Sequence, residues 1–318
     1  MDTIEETAKD ISIRTQTDNA QHHFLLFEKI LLSYFAILSI LIIFFSKPFS
    51  NYYLYVLVNW LFSLMVLTVK TQSSTRTSII WQFARFGLPI FLFTFMYEET
   101  GGLIHLIYHG WFDPLLIRID QTIFGVNLGL WVEKFDHPIL NEIFRIGYGS
   151  YNFIIINGAA ILYFRVERPQ YVQMLSAITL IFCLSYLMFI LIQAQGPRFF
   201  HAHLFHTKMM EILFSWLQQE IMDIGSFRGG AFPSSHIAMA VIVWLSLYKK
   251  HLRSFWIMMP FVVLLVLGTV YARYHYAVDG MAGIIMAISI FAINSNHKLT
   301  TNRNGSFKKI LNKIFYLN

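Results

Sequence analysis

The chain has 318 residues, of which 56% are hydrophobic and only 13% charged, and its mean hydropathy is +0.54. Soluble domains carry about a quarter charged residues, so this composition excludes a water-soluble globular domain. The net charge of +6 is spread over the loops between apolar runs, which fits membrane topology and argues against nucleic acid as a partner.

Several apolar runs approach the ~20 residues that a helix needs to cross a bilayer. A transmembrane barrel would show alternating segments of about ten residues instead. The expected fold class is therefore all-α, a polytopic transmembrane helical bundle of about eight spans. Residues 1–29 open the chain as a polar arm, with Asp2, Glu5 and Glu6 near its start and no apolar signal region. The spans are expected near 30–46, 52–69, 79–97, 148–164, 171–193, 234–247, 255–272 and 278–294. The single cysteine, Cys183, lies inside one of them and excludes an intramolecular disulfide framework.

With an even number of spans both termini share a side. That side holds most of the Lys and Arg residues, among them Lys70, Arg165, Arg168, Lys250 and Arg253. The positive-inside rule places it in the cytoplasm. Three outward loops carry the informative sequence. The first, 98–147, interleaves Trp111, Phe112, Ile117 and Phe124 with acids and histidines and reads as short amphipathic helices along the interface. Glu98 and Glu99 at its start either cap a span or meet a polyol headgroup. The second, 194–233, begins Gln195-Gly196-Pro197-Arg198 and runs into Gly229-Gly230-Ala231-Phe232-Pro233-Ser234-Ser235-His236. The third, 273–277, is short. The tail 295–318 alternates basic residues with Ile310, Leu311, Ile314 and Phe315, as either a surface-lying amphipathic helix or a solvated tail.

The stretch ending at His236 places glycines, a proline and two hydroxyls at the start of an apolar helix. Free amides and the helix dipole make such a start an anion site. His275 and Asp279 are four apart, on one face of a helix. Asp279 can accept the Nδ1–H of His275 and leave Nε2 free as a nucleophile, although such a pair is also a common structural device. Arg198 and Arg273 offer planar forks for phosphate oxygens, or else meet lipid headgroups. His201, His203 and His206 lie close together without a carboxylate or cysteine, and read as interfacial contacts rather than a metal site.

In chain order these elements are Gly-Pro-Arg, Phe-Pro-Ser-Ser-His and Arg-Tyr-His-Tyr-x-x-Asp. The set resembles the type-2 phosphatidic acid phosphatase superfamily over roughly residues 79–294. Asp120-Gln121-Thr122-Ile123-Phe124-Gly125 is similar to an element of the inositol phosphorylceramide synthase branch. The resemblance implies a six-helix catalytic core over 79–294, two additional helices over 30–78, and a basic cytoplasmic tail over 295–318. It implies a catalytic set of His275 as nucleophile, Asp279 orienting it, and His236 as acid for the leaving oxygen. Arg198, Ser234, Ser235 and Arg273 would bind phosphate, with no metal and no other cofactor. Three positions depart from the phosphatase pattern: Leu191 stands where that pattern has lysine, Thr269 where it has arginine, and Ser235 where glycine is usual.

The function expected from the resemblance is a phosphotransferase in the membrane with its site at the extracytoplasmic face. It would move a phosphorylated headgroup, such as phosphoinositol from phosphatidylinositol, from a phospholipid donor to a lipid acceptor such as ceramide or diacylglycerol. A lipid phosphate phosphatase acting on phosphatidic acid or a polyprenyl phosphate is the alternative. A transporter or membrane scaffold is the reading that involves no chemistry.

Overall fold

The computed structural model describes residues 23–47, 51–75, 78–165, 168–206, 212–248 and 250–301. The arm before residue 23 and the tail after 301, with the amphipathic helix expected there, lie outside the described residues. The rest is helical apart from an isolated bridge that pairs Ala194 with Gly229 and Gly230.

In order the helices are α1 (Leu26–Phe45), α2 (Tyr53–Thr75), α3 (Ile79–Leu103), α4 (Asp113–Phe124) and a single turn, α5 (Leu128–Trp131), that runs into a 3-10 turn at Val132–Phe135. They continue with α6 (Pro138–Arg165), α7 (Arg168–Leu191), the single turn α8 (Pro197–Phe200), α9 (Leu213–Gly225), α10 (Ser235–Leu247), α11 (Leu252–Tyr271) and α12 (Ala277–Thr301). Each expected span falls on a helix. Length and apolar composition support a membrane crossing for five of them: α1, α2, α7, α11 and the 277–294 part of α12. The bent pair Asp113–Phe124 and Leu128–Phe135, at 69°, makes a sixth if taken as one broken span. The eight expected crossings are reduced because α3 and α6 carry polar residues, among them Arg85 and Glu98 in the one and Asn141 and Arg145 in the other, and because α10 is short.

With 13 residues, α10 is about 20 Å long, less than the ~30 Å of a hydrocarbon core. Its buried positions run from Ile237 to Val243 without a polar face, as expected of a helix enclosed on all sides. It packs against α6, α7, α11 and α12, so it forms the centre of the bundle. Beside it, α6 and α11 pack closely because α11 has Gly268 at the crossing, where a Cβ would lie 2.4 Å from the Phe144 carbonyl oxygen.

The first helices form a second group, in which α1 packs on α2 and α7, and α3 on α2 and α7. Two buried polar contacts fix it. Arg85 of α3 meets Glu28 of α1 in a bidentate pair at 2.6 and 2.9 Å, both side chains almost fully buried. That geometry lets a charged pair persist away from water. Glu99 is also buried and accepts from the Asn59 side chain of α2 at 2.9 Å, so it joins two helices rather than capping one.

Two elements differ from expectation. Helix α6 starts at Pro138 rather than near 148. Its first turns carry Asn141 and Arg145, whose polarity hides them from a hydropathy reading although both are buried in the fold. Helix α9 lies within the 194–233 segment, expected to be a loop. It exposes Leu213, Phe214, Trp216 and Leu217, a composition suited to the headgroup region, and packs against α6.

Candidate active site

The Gly-Pro-Arg, Phe-Pro-Ser-Ser-His and Arg-Tyr-His-Tyr-x-x-Asp stretches are stitched together by main-chain hydrogen bonds. Ala194 donates to Gly229 at 3.3 Å and Ala231 donates back to Ala194 at 3.1 Å, which joins the first stretch to the second. Arg198 N–H donates to the Arg273 carbonyl at 2.8 Å, joining the first to the third. Ser234 N–H donates to the Asp279 carbonyl at 3.0 Å, joining the second to the third. Gly196 is required in this arrangement: its φ is 82°, and a Cβ there would lie 2.6 Å from the Tyr274 carbonyl oxygen.

Arg198, His236 and His275 line one small cavity of about 50 Å³, together with Tyr97, Tyr148, Gln195 and Tyr274. The His236 ring lies 4.6 Å from the Tyr151 ring and 5.5 Å from Tyr148, and its Nδ1 is buried without a hydrogen-bond partner. The two imidazole centroids are 6.4 Å apart, a separation that leaves room for one tetrahedral group to touch both.

The expected role of Asp279 needs adjustment. His275 Nδ1 lies 2.9 Å from the Ala231 carbonyl oxygen and 3.4 Å from Asp279 Oδ2. A carbonyl only accepts, so Nδ1 carries the proton and Nε2 holds the free lone pair. The main chain thus selects the tautomer, while Asp279 accepts the Tyr276 N–H at 2.9 Å and holds its carboxyl group beside the ring. Burial lowers the His275 pKa to about 4, partly opposed by the bond to Ala231. The ring is therefore neutral at physiological pH, the form a nucleophile requires.

Arg198 stacks over the Phe199 and Tyr274 rings at 5.0 and 5.7 Å and forms an ion pair with Asp223 of α9. Its Nη1 is buried and has no hydrogen-bond partner among the described residues. Asp223 is a functional candidate that sequence reasoning missed, because nothing in the local pattern links α9 to Arg198. The same helix turn closes the cavity with Met222, and the residues after it add Ser226 and Phe227.

The other expected phosphate ligands are placed differently. Ser234 and Ser235 are buried at the start of α10 and are not among the residues lining the cavity. Arg273 has φ 63°, a left-handed conformation, and its guanidinium donates to Glu133 at 3.2 Å and lies over the Phe205 ring at 4.0 Å. It too is absent from the lining. The histidine group does not converge: His201 is buried against Asn127 and Tyr276, whereas His203 and His206 are exposed. Among the described residues no three His, Cys, Asp or Glu side chains are grouped to hold a metal ion.

The model of one protein family, the PAP2 superfamily, matches residues 115–293, more than half of the chain. The match covers all three stretches and begins after α3. Neither the curated proteins nor the solved structures give a match.

Proposed function

Because the chain belongs to the PAP2 superfamily of lipid phosphatases and phosphotransferases and has several helices apolar enough for a membrane, we propose that it is a lipid phosphotransferase working through a phosphohistidine at His275. The observation that carries this reading is the convergence of His275, His236 and Arg198 on one cavity, with the tautomer of His275 set by Ala231.

In the first step Nε2 attacks phosphorus and an N–P bond forms as the P–O bond to the donor alcohol breaks. His236 gives its proton to the departing oxygen. In the second step the acceptor hydroxyl attacks phosphorus, its proton passes to His236, and the N–P bond breaks. Charge spreads over the equatorial oxygens in both steps, so positioned cations and N–H groups are the main aid. We assign that task to Arg198 and to the first-turn amides of α10 at Ser235 and His236. Asp223 occupies Arg198 until a phosphate displaces it. Arg273 serves through its carbonyl, which fixes Arg198, because Glu133 and Phe205 hold its guanidinium elsewhere.

The site faces the extracytoplasmic side in this reading, with both termini in the cytoplasm, on the strength of the Lys and Arg distribution. The Asp120–Gly125 stretch and the departures at Leu191 and Thr269 favour transfer of a headgroup such as phosphoinositol over plain hydrolysis. The test is product analysis with purified full-length protein, given phosphatidylinositol with ceramide or diacylglycerol and, separately, phosphatidic acid. A new phosphoinositol-bearing lipid is expected with ceramide, and with isotope-labelled diacylglycerol the label is expected to appear in phosphatidylinositol. Free phosphate as the sole product identifies a phosphatase, and the absence of any product from all these lipids overturns the enzymatic reading.

The pH dependence follows from the depressed pKa of His275. Protonation removes the nucleophile only as the pH falls through about 4, so the acid limb of kcat/KM is expected near 4 rather than near 6.5, while any loss on the alkaline side reports the proton that His236 must carry. An acid limb centred above 6 in the wild type would contradict the buried, neutral imidazole.

A further inference from the structure

Helix α4 carries two carboxylates that the phosphoryl-transfer scheme leaves unused. Asp113 is fully buried and Asp120 is 3% exposed. Seven positions apart, they lie on one face of the helix about two turns from each other. Buried carboxylates are costly unless their oxygens are hydrogen-bonded, and here every oxygen has a donor.

Asp113 accepts from Gln195 N–H and Gly196 N–H, both at 2.9 Å, and from the Tyr276 hydroxyl at 2.9 Å. Asp120 accepts from Ala277 N–H and Val278 N–H, again at 2.9 Å each. Since Asp279 accepts from Tyr276 N–H, three successive amides at the start of α12 are each held by a carboxylate. These hydrogen bonds and the amino-terminal end of the α12 dipole offset part of the cost of burying the carboxyl groups. It also commits those amides, so phosphate oxygens must be held from the α10 side and by Arg198.

The geometry points to Asp113 and Asp120 as positioning residues that fix Arg198 and His275 relative to each other. Asp113 ties the turn at Gly196, two residues before Arg198, to Tyr276, the residue after His275. Asp120 pins the first turn of α12, which carries Asp279. Neither aspartate lines the cavity, so neither touches the reacting phosphoryl group. The inference rests on the phosphoryl-transfer reading of that cavity. A displacement of about 1 Å between reacting groups costs on the order of 10²-fold in rate, which sets the size of the effect.

The test uses purified full-length Asp113→Ala, Asp120→Ala, Asp113→Asn and Asp120→Asn with the wild type. The expected result is a drop in kcat of about 10²-fold in the alanine variants, with KM within about twofold of wild type and a smaller kcat loss in the asparagine variants. An asparagine keeps one acceptor oxygen, so a graded loss marks the hydrogen bonds rather than the bulk of the side chain. Hydrogen exchange followed by mass spectrometry gives a readout independent of activity. Exchange at 195–196 should quicken in Asp113→Ala, and exchange at 277–278 in Asp120→Ala. If an alanine variant does not yield folded protein, the asparagine variants carry both measurements. Wild-type kcat in the variants, a KM effect with kcat unchanged, or unaltered exchange at those amides overturns the inference. A wild type inactive on every lipid phosphate instead sinks the phosphoryl-transfer reading, while the exchange measurement still decides whether the carboxylates hold the two loops.

Discussion

Substitution of His275 by alanine is expected to lower product formation by at least about 10⁴-fold, because loss of a covalent nucleophile removes the reaction path rather than one contact along it. The residual rate should show no phosphorylated enzyme, whereas wild-type protein quenched during turnover should carry an acid-labile phosphoryl group on the peptide containing His275. The ring is enclosed, with Nδ1 on the Ala231 carbonyl, so its removal also leaves a small cavity. Thermal unfolding in detergent separates that cost from the catalytic one. A His275→Ala protein that is folded and keeps wild-type turnover removes the nucleophile assignment.

Replacing His236 with alanine is expected to lower the rate on a lipid alkyl phosphate by about 10²–10⁴-fold, the range of a general acid. The loss should depend on the leaving group. An alkoxide needs a proton as the P–O bond breaks, while the oxygen of an acidic aryl phosphate departs without one. The same variant should therefore lose less than about tenfold on an aryl phosphate ester. His236 fits this role because its ring sits beside Tyr148 and Tyr151 and lines the cavity across from His275. An equal loss on both substrates would show that His236 binds or supports the fold and does not transfer the proton. Both variants are best measured with Arg198 intact, since its stacking on Tyr274 couples it to the His275 loop.

Much of the site was legible before any coordinates. Arg198, His236 and His275 stand out by residue type and by their place at the ends of apolar runs, and the fold brings all three to one cavity. The four-residue spacing also marked Asp279 as a neighbour of His275, as observed at 3.4 Å. The position of Arg273 next to the histidine suggested a phosphate ligand, but its guanidinium went to Glu133, a partner 140 positions away in the chain. Asp120 was noticeable only as part of a resemblance, and Asp113 not at all. Their partners are main-chain N–H groups, which every residue except proline possesses and which leave no trace in a sequence.

The helical, membrane-bound class of this protein followed from its sequence alone, because a run of apolar side chains must satisfy its own backbone wherever it leaves water. The types of residue available for chemistry were fixed there as well. Tertiary structure decided which of them meet. It gave the Nδ1–H of His275 to the Ala231 carbonyl across 44 positions, Arg198 to Asp223 across 25, and the start of α12 to Asp120 across 157. Each choice depends on where whole helices pack, on close approaches such as that at Gly268, and on the need to satisfy buried polar atoms. Local periodicity carries no information about those distances.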